Sequence, residues 1–496
     1  MRLVSISRVN LAYKWWVTIA VTLGMIMSIM DMTIVNVAIP QMQRTFGARL
    51  QDVQWVMTIY MLTQAMVIPL APYLTMKWGG KRAYIWMLSA FLGGSLLCGL
   101  AWNLPSLILF RFIQGIGGGI LLPLVMSLQY QAFPVEERGK AASVMAIPLT
   151  IAPLSGPILG GYLVTNFGWQ WAFFINIPLG IIAVALAQKV LRPTAPEQQT
   201  HFDGAGFLTA AAGCAAFVYG IATDTVLSIC AGALLLLIFA LVERRQTQRG
   251  LQPLLDLRCF QDRTFTFSVL ALIFFSMVFF GLLLLIPIYL QTLHQETAFQ
   301  AGTIQTAQAL ATLALLPIIG RCSDKVGPRL IALVGLLVLL VTTLLMMTLA
   351  LDTALWIVVG ILVLLGCASG MSQQIPVAAM SRIKHEDHKA VANGSTLVTV
   401  LRAVAAPTGV ALLSNIDQLQ SQQATVSLAR QGLTGELLSR QSALLAMHDS
   451  FLVAAALTIV ALVAITFVPR RKKHQNVQSE TSLIIEEPLS QSLNAH

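Results

Sequence analysis

The chain has 496 residues, of which 56% are hydrophobic and 10% charged, with a formal net charge of +10. An ordinary soluble domain carries roughly 25% charged residues, so a water-soluble globule is excluded and a membrane-embedded chain is expected. The basic residues are scattered through short segments between apolar runs, which suits orientation in a bilayer and not nucleic-acid binding.

In chain order, apolar runs near the roughly 20 residues that span a bilayer fall at 15–36, 53–75, 83–102, 107–131, 141–164, 171–190, 205–223, 226–242, 265–291, 301–320, 330–350, 354–379, 395–415 and 451–468. The first run follows Arg2, Arg8 and Lys14 but lacks a small-residue cleavage site, so it reads as an uncleaved first helix. An even number of crossings, fourteen here, puts both termini on one side. Twenty-five basic residues lie on that side, against four (Arg44, Arg49, Arg430 and Arg440) on the other, which assigns the termini to the cytoplasm. The outward segment at about 416–450 is polar, with Leu428, Leu433, Leu437 and Leu438 at helical spacing, and is expected to be a loop holding a short surface helix. The tail at 469–496 has too little apolar content to pack and is expected to be disordered. The six cysteines fall in helices or on the cytoplasmic side, so no disulfide framework is expected.

Three charges fall well inside the apolar runs, away from their ends. "SIMDMTIVNVAIP" (28–40) sets Asp31 after a stretch, Trp15 through Met30, that holds no charge. A charge at mid-membrane depth costs about 2.5–3.5 kcal/mol on insertion scales, so such groups face a cavity or a partner. Asp31 is therefore a candidate proton carrier, or else a carboxylate that caps a neighbouring helix. Arg111 stays charged and needs an acceptor, either that carboxylate or backbone carbonyls. Arg402 either binds an anionic group of a substrate or pins its own helix. Asp224 and Asp417 sit at helix ends, where a shift of a few residues brings either one to a cavity.

"GIGGG" (115–119) lies within an apolar helix and reads as close helix packing, not a phosphate loop. No G-x-x-x-x-G-K-[ST] is present, so an ATP motor is not expected. All seven histidines fall in loops or the tail, and neither metal-ligand spacing nor a nucleophile and base pair stands in the membrane. Neither an enzyme nor a cofactor or metal is expected, and energy has to come from elsewhere. In "APLSGPILGGYL" (152–163), Gly156 and Gly160 share one helix face while Pro153 and Pro157 remove backbone donors, which predicts a bent, closely packed fifth helix. The chain also repeats itself: "PYLTMKWGGKR" (72–82) and "GRCSDKVGPR" (320–329) both join two helices through a glycine and a basic cluster. Duplicated halves of this kind hold substrate at their interface in many transporters.

Taken with "DMTIVNVAIP" (31–40), "RFIQGIGGG" (111–119), "WAFFINIPLG" (171–180) and "PLLDLRCF" (253–260), these segments resemble, in order, the motifs of the fourteen-helix drug/proton antiporters of the major facilitator superfamily, the EmrB/QacA type. The resemblance runs from about residue 15 to 468. It implies an all-α membrane protein of the major facilitator fold: a six-helix bundle at 15–190, a linker with two additional helices at 191–263, and a second six-helix bundle at 264–468, preceded by a cytoplasmic N-terminus at 1–14. It implies a proton-driven exporter of small amphipathic toxic compounds in the bacterial inner membrane, with the lipid bilayer, protons and substrate as partners and a periplasmic adaptor protein as a candidate. Asp31 and Arg111 take the coupling role, with Arg402 a candidate substrate contact. Pro153, Gly156, Pro157, Gly160 and Gly161 form the antiporter packing motif. Gly79, Lys81 and Arg82, with Gly320, Asp324, Lys325, Gly327 and Arg329, form two cytoplasmic gating loops. The first loop departs from the pattern, since Met76 stands where the family has an aspartate. A dedicated exporter of one metabolite, such as a siderophore or antibiotic, is the alternative within transport; a membrane sensor or scaffold is the alternative outside it.

Overall fold

The computed structural model describes residues 3–133, 138–193, 203–248, 257–380, 388–431 and 433–469. These residues form helices and turns, without strands. The first half holds α1 (Leu3–Phe46), α2 (Leu50–Val53), α3 (Trp55–Val67), α4 (Leu70–Trp78), α5 (Gly80–Gly99), α6 (Leu104–Ala132), α7 (Arg138–Phe167), α8 (Trp171–Phe174) and α9 (Asn176–Val190). Two further helices follow, α10 (Gly204–Thr223) and α11 (Val226–Gln248). The second half holds α12 (Arg263–Ile288), α13 (Ala298–Val326), α14 (Pro328–Met346), α15 (Leu355–Ser372), α16 (Gln374–Met380), α17 (His388–Arg430) and α18 (Gly435–Thr466).

Eleven helical stretches among the described residues are long and apolar enough to cross a membrane. The expected crossings at 53–75, 83–102 and 141–164 are helical as well, in α3 with α4, in α5 and in α7. The first of these is divided at Ile68 and Pro69, where proline has no N–H to continue the ladder. Pro153 and Pro157 leave α7 a single uninterrupted helix. The segment at 416–450 differs from the expected loop: α17 continues to Arg430, and α18 begins at Gly435, whose φ of +67° turns the chain. Its Gln, Ala and Leu content explains this, because these residues favour helix even where they are polar.

In the first half α1 packs against α6, α7 and α9, and α5 against α6 and α9. In the second, α12 packs against α17 and α18, and α13 and α14 against α15. The halves meet where α7 lies on α13 and α3 on α17, while α10 and α11 form a hairpin whose α10 rests on α3 and α17. At the end opposite the termini, Gln291 Nε2 donates to the Val37 carbonyl at 3.0 Å, and Phe299 N to Thr165 Oγ1 at 3.1 Å. At the same end, Gln51 Nε2 donates to the Ala222 carbonyl at 2.6 Å and to Asn415 Oδ1 at 3.0 Å, and Asn415 Nδ2 donates to the Ile221 carbonyl at 3.1 Å. The hairpin is thus fastened to both halves.

Candidate functional site

Asp31 lies about two-thirds of the way along α1 and Arg111 two turns into α6, and both are fully buried. Arg111 Nη1 meets Asp31 Oδ2 at 2.6 Å. The same nitrogen donates to Gln114 Oε1 at 2.8 Å, while Nε donates to the Val56 carbonyl at 2.9 Å. Arg111 therefore takes both acceptors that the sequence left open, the carboxylate and the backbone. Its guanidinium carbon stands 3.8 Å from the centre of the Tyr60 ring, so an aromatic face covers the cation. Nη2 has no hydrogen-bond partner among the described residues.

The second carboxylate oxygen, Oδ1, accepts from Gln114 Nε2 at 2.9 Å and from Asn176 Nδ2 at 3.0 Å. Asn176 also donates to Ser95 Oγ at 3.0 Å, and Ser95 Oγ donates to the Phe173 carbonyl at 2.9 Å. Five helices converge on one carboxylate: α1, α3, α5, α6 and α9. Gln114 and Asn176 were not singled out from the sequence, although Gln114 stands three residues from Arg111 and so shares its helix face. A buried charge is tolerable only when paired and hydrogen-bonded, and here both oxygens are satisfied by fixed groups.

The other predicted residues lie apart from this cluster. Arg402, on α17, is half-buried; its Nη1 reaches Gln373 Oε1 at 3.4 Å, and no ion pair to it is found among the described residues. Gly156 and Gly160 face α1: a Cβ on Gly156 would stand 1.8 Å from Thr33 Oγ1, and one on Gly160 would stand 3.0 Å from Ile34 Cα. Gly161 faces the second half, where a Cβ would stand 2.5 Å from the Ala298 carbonyl. The carbonyl of Pro157 lies 2.0 Å from where a Cβ on Gly302 would be. The side chains of Pro153 and Asp324 lie outside the described residues.

The two repeated loops share one geometry. Gly79 has φ +79° and ψ 149°, and Gly327 has φ +88° and ψ 152°, a backbone that glycine adopts without strain. Two residues after each glycine a basic side chain caps the last helix of its own half. Lys81 Nζ donates to the Gln188 carbonyl at 2.6 Å, and Arg329 Nη2 to the Thr466 carbonyl at 2.6 Å. Arg82 and Lys325 are exposed, and α13 runs through Gly320.

Asp224 is exposed at the turn after α10, whereas Asp417 is buried in α17. Glu243, near the end of α11, is buried as well. The sequence count of one deep carboxylate is corrected accordingly: helices run past the apolar stretches that defined them, and these acids lie in the extensions.

The model of the Major Facilitator Superfamily matches residues 21–408. A multidrug resistance protein B homolog of Mycobacterium tuberculosis is 30% identical over 485 residues, covering 91% of this chain and 89% of that protein. The fatty acid resistance protein FarB of Neisseria gonorrhoeae is 34% identical over 327 residues, 64% of each chain. Among solved structures, a bacterial homolog of the human lysosomal transporter Spinster, inward-facing and unoccupied, superposes with a TM-score of 0.63 at 15% identity, covering 92% of this chain and 98% of that one. The chain belongs to the Major Facilitator Superfamily.

Proposed function

We propose that this chain is a proton-coupled antiporter that exports small amphipathic compounds across a bacterial inner membrane, with both termini in the cytoplasm. The observation that carries this reading is the Asp31–Arg111 pair, fully buried and 2.6 Å apart. A proton taken up by Asp31 cancels its charge and releases the ion pair, while Arg111 keeps its bond to Val56 and its positive charge is left uncompensated. The two states of one carboxylate thereby favour different arrangements of five helices, which is the differential interaction that a conformational switch requires. The excess of basic residues on the terminal side supports the orientation, and the multidrug and fatty-acid resistance relatives support the substrate class.

The test is Asp31→Asn in reconstituted vesicles. The amide keeps the shape and an acceptor for Arg111 but cannot carry a proton, so proton-driven efflux is expected to vanish while the protein remains folded. Wild-type exchange of protons for substrate by this variant would overturn the assignment. Arg402, half-buried and without a paired acid among the described residues, is the residue we assign to the anionic group of acidic substrates.

A further inference from the structure

Asp417 is a second carboxylate inside the protein, and no part of the Asp31 cluster touches it. It is 8% exposed, and its Oδ1 is buried without a hydrogen-bond partner among the described residues. It lies one turn beyond Leu413, whose side chain seats against Gly281 of α12, and two residues beyond Asn415.

The charged groups on the elements packed against α17 are all engaged elsewhere or distant. On α18, Arg440 Nη1 stands 3.9 Å from Glu436, and its Nη2 donates to the Leu293 carbonyl; His448 Nε2 bonds the Leu349 carbonyl at 2.7 Å, and Asp449 is exposed. Next to α2, Arg49 and Asp52 pair with each other at 3.0 Å. α3, α10 and α16 carry no charged residue; Arg258, in the 3-10 turn Leu257–Gln261 that also packs on α17, and Arg263, the only charged residue on α12, both lie at the opposite end. An ionised carboxylate buried without a counter-charge is far more costly than a neutral acid in the same place. Asp31 avoids that cost through Arg111; Asp417 has no such partner.

We propose that Asp417 is a second proton-binding carboxylate, seated in the half of the molecule opposite Asp31. The proton comes from water on the side away from the termini. Asn415, on the same turn of α17, joins α10 and Gln51 across the closed seam. Asp417, two residues on, lies on the other face of α17, in line with Leu413 toward α12. Hydration of this outer end of α17 lets Asp417 exchange its proton with the outer medium, and drying seals the carboxyl in neutral form, so acid outside favours the sealed state and alkali the hydrated one. The inference extends the proton-coupled reading above, and its first test does not depend on transport.

That test is infrared difference spectroscopy of the purified full-length protein, titrated from acid to alkaline pH. A carboxylic-acid C=O band that disappears with rising pH is expected in the wild type and in Asp31→Asn. It is expected to be absent from Asp417→Asn and to return at a shifted frequency in Asp417→Glu. The same band in wild type and Asp417→Asn, or no shift in Asp417→Glu, would overturn the proposal. The second measurement is the proton-to-substrate ratio from reversal potentials in vesicles. Asp417→Asn is expected to lower the ratio while leaving coupled efflux through Asp31; an unchanged ratio overturns the role in the cycle. Absence of any proton movement in the wild type would instead strike at the antiport reading, with the infrared result still deciding the site.

Discussion

Arg111 divides its donors among three acceptors, Asp31, Gln114 and Val56, and lays its planar face on Tyr60. A lysine brings the charge without that fork or stack. Arg111→Lys is therefore expected to lose about 1.5–3 kcal/mol, the usual worth of a hydrogen bond to a charged group, and to fail to restore efflux. Thermal unfolding and vesicle transport check this; wild-type melting with wild-type efflux would show that the fork is dispensable. Asp31 and Arg111 were legible in the sequence because a charge in an apolar run has few innocent explanations. Gln114, Asn176 and Ser95 were not, because neutral polar residues occur throughout such helices, and only the meeting of five helices shows which ones face the carboxylate.

At the scale of the element, α7 fits into a space with no spare volume. Its glycines let it lie against α1 on one face and α13 on the other, and Gly302 returns the accommodation from the α13 side. Gly302→Ala places a methyl group 2.0 Å from the Pro157 carbonyl, so one helix has to move. Overpacking of this kind costs typically about 1–3 kcal/mol, and here it bears on the seam between the halves. The variant is expected to loosen the neighbouring bond from Phe299 to Thr165, read as a lower cross-linking yield between cysteines placed at these two positions. An unchanged yield would mean that the crossing adjusts without opening. The glycine spacing of α7 was visible in the sequence, as was the repeat that ends in Gly79 and Gly327. The helical extensions of α17 and α18 were hidden because a polar composition outside the bilayer reads equally as loop or as solvated helix. Proline was an ambiguous guide, dividing the helix at Pro69 while leaving α7 whole.

Over the whole molecule, the placement of charge sets what the interior can hold. Asp31 is neutralised by Arg111, Asp417 is buried in α17, and Glu243 is buried in the added hairpin; Arg402, on α17, is half-buried with no paired acid among the described residues. If Arg402 faces the substrate, a cationic compound meets its guanidinium, while the Asp31 carboxylate is already taken by Arg111. At an effective dielectric of about 20, two unit charges roughly 4 Å apart interact by about 4 kcal/mol. A second positive charge on the substrate repeats that repulsion, whereas a carboxylate on the substrate turns it into attraction. Neutral compounds, lipophilic monocations and weak acids are accordingly expected to be better substrates than dications. Arg402→Gln should reduce efflux of acids and leave that of monocations unchanged or raised. Efflux of matched mono- and bis-quaternary ammonium compounds, measured beside a fatty acid in wild type and Arg402→Gln, decides the matter. If the dication moves as fast as the monocation, or the acid is untouched by the substitution, Arg402 does not govern substrate charge, and the interior must present an anionic surface formed only when the helices rearrange.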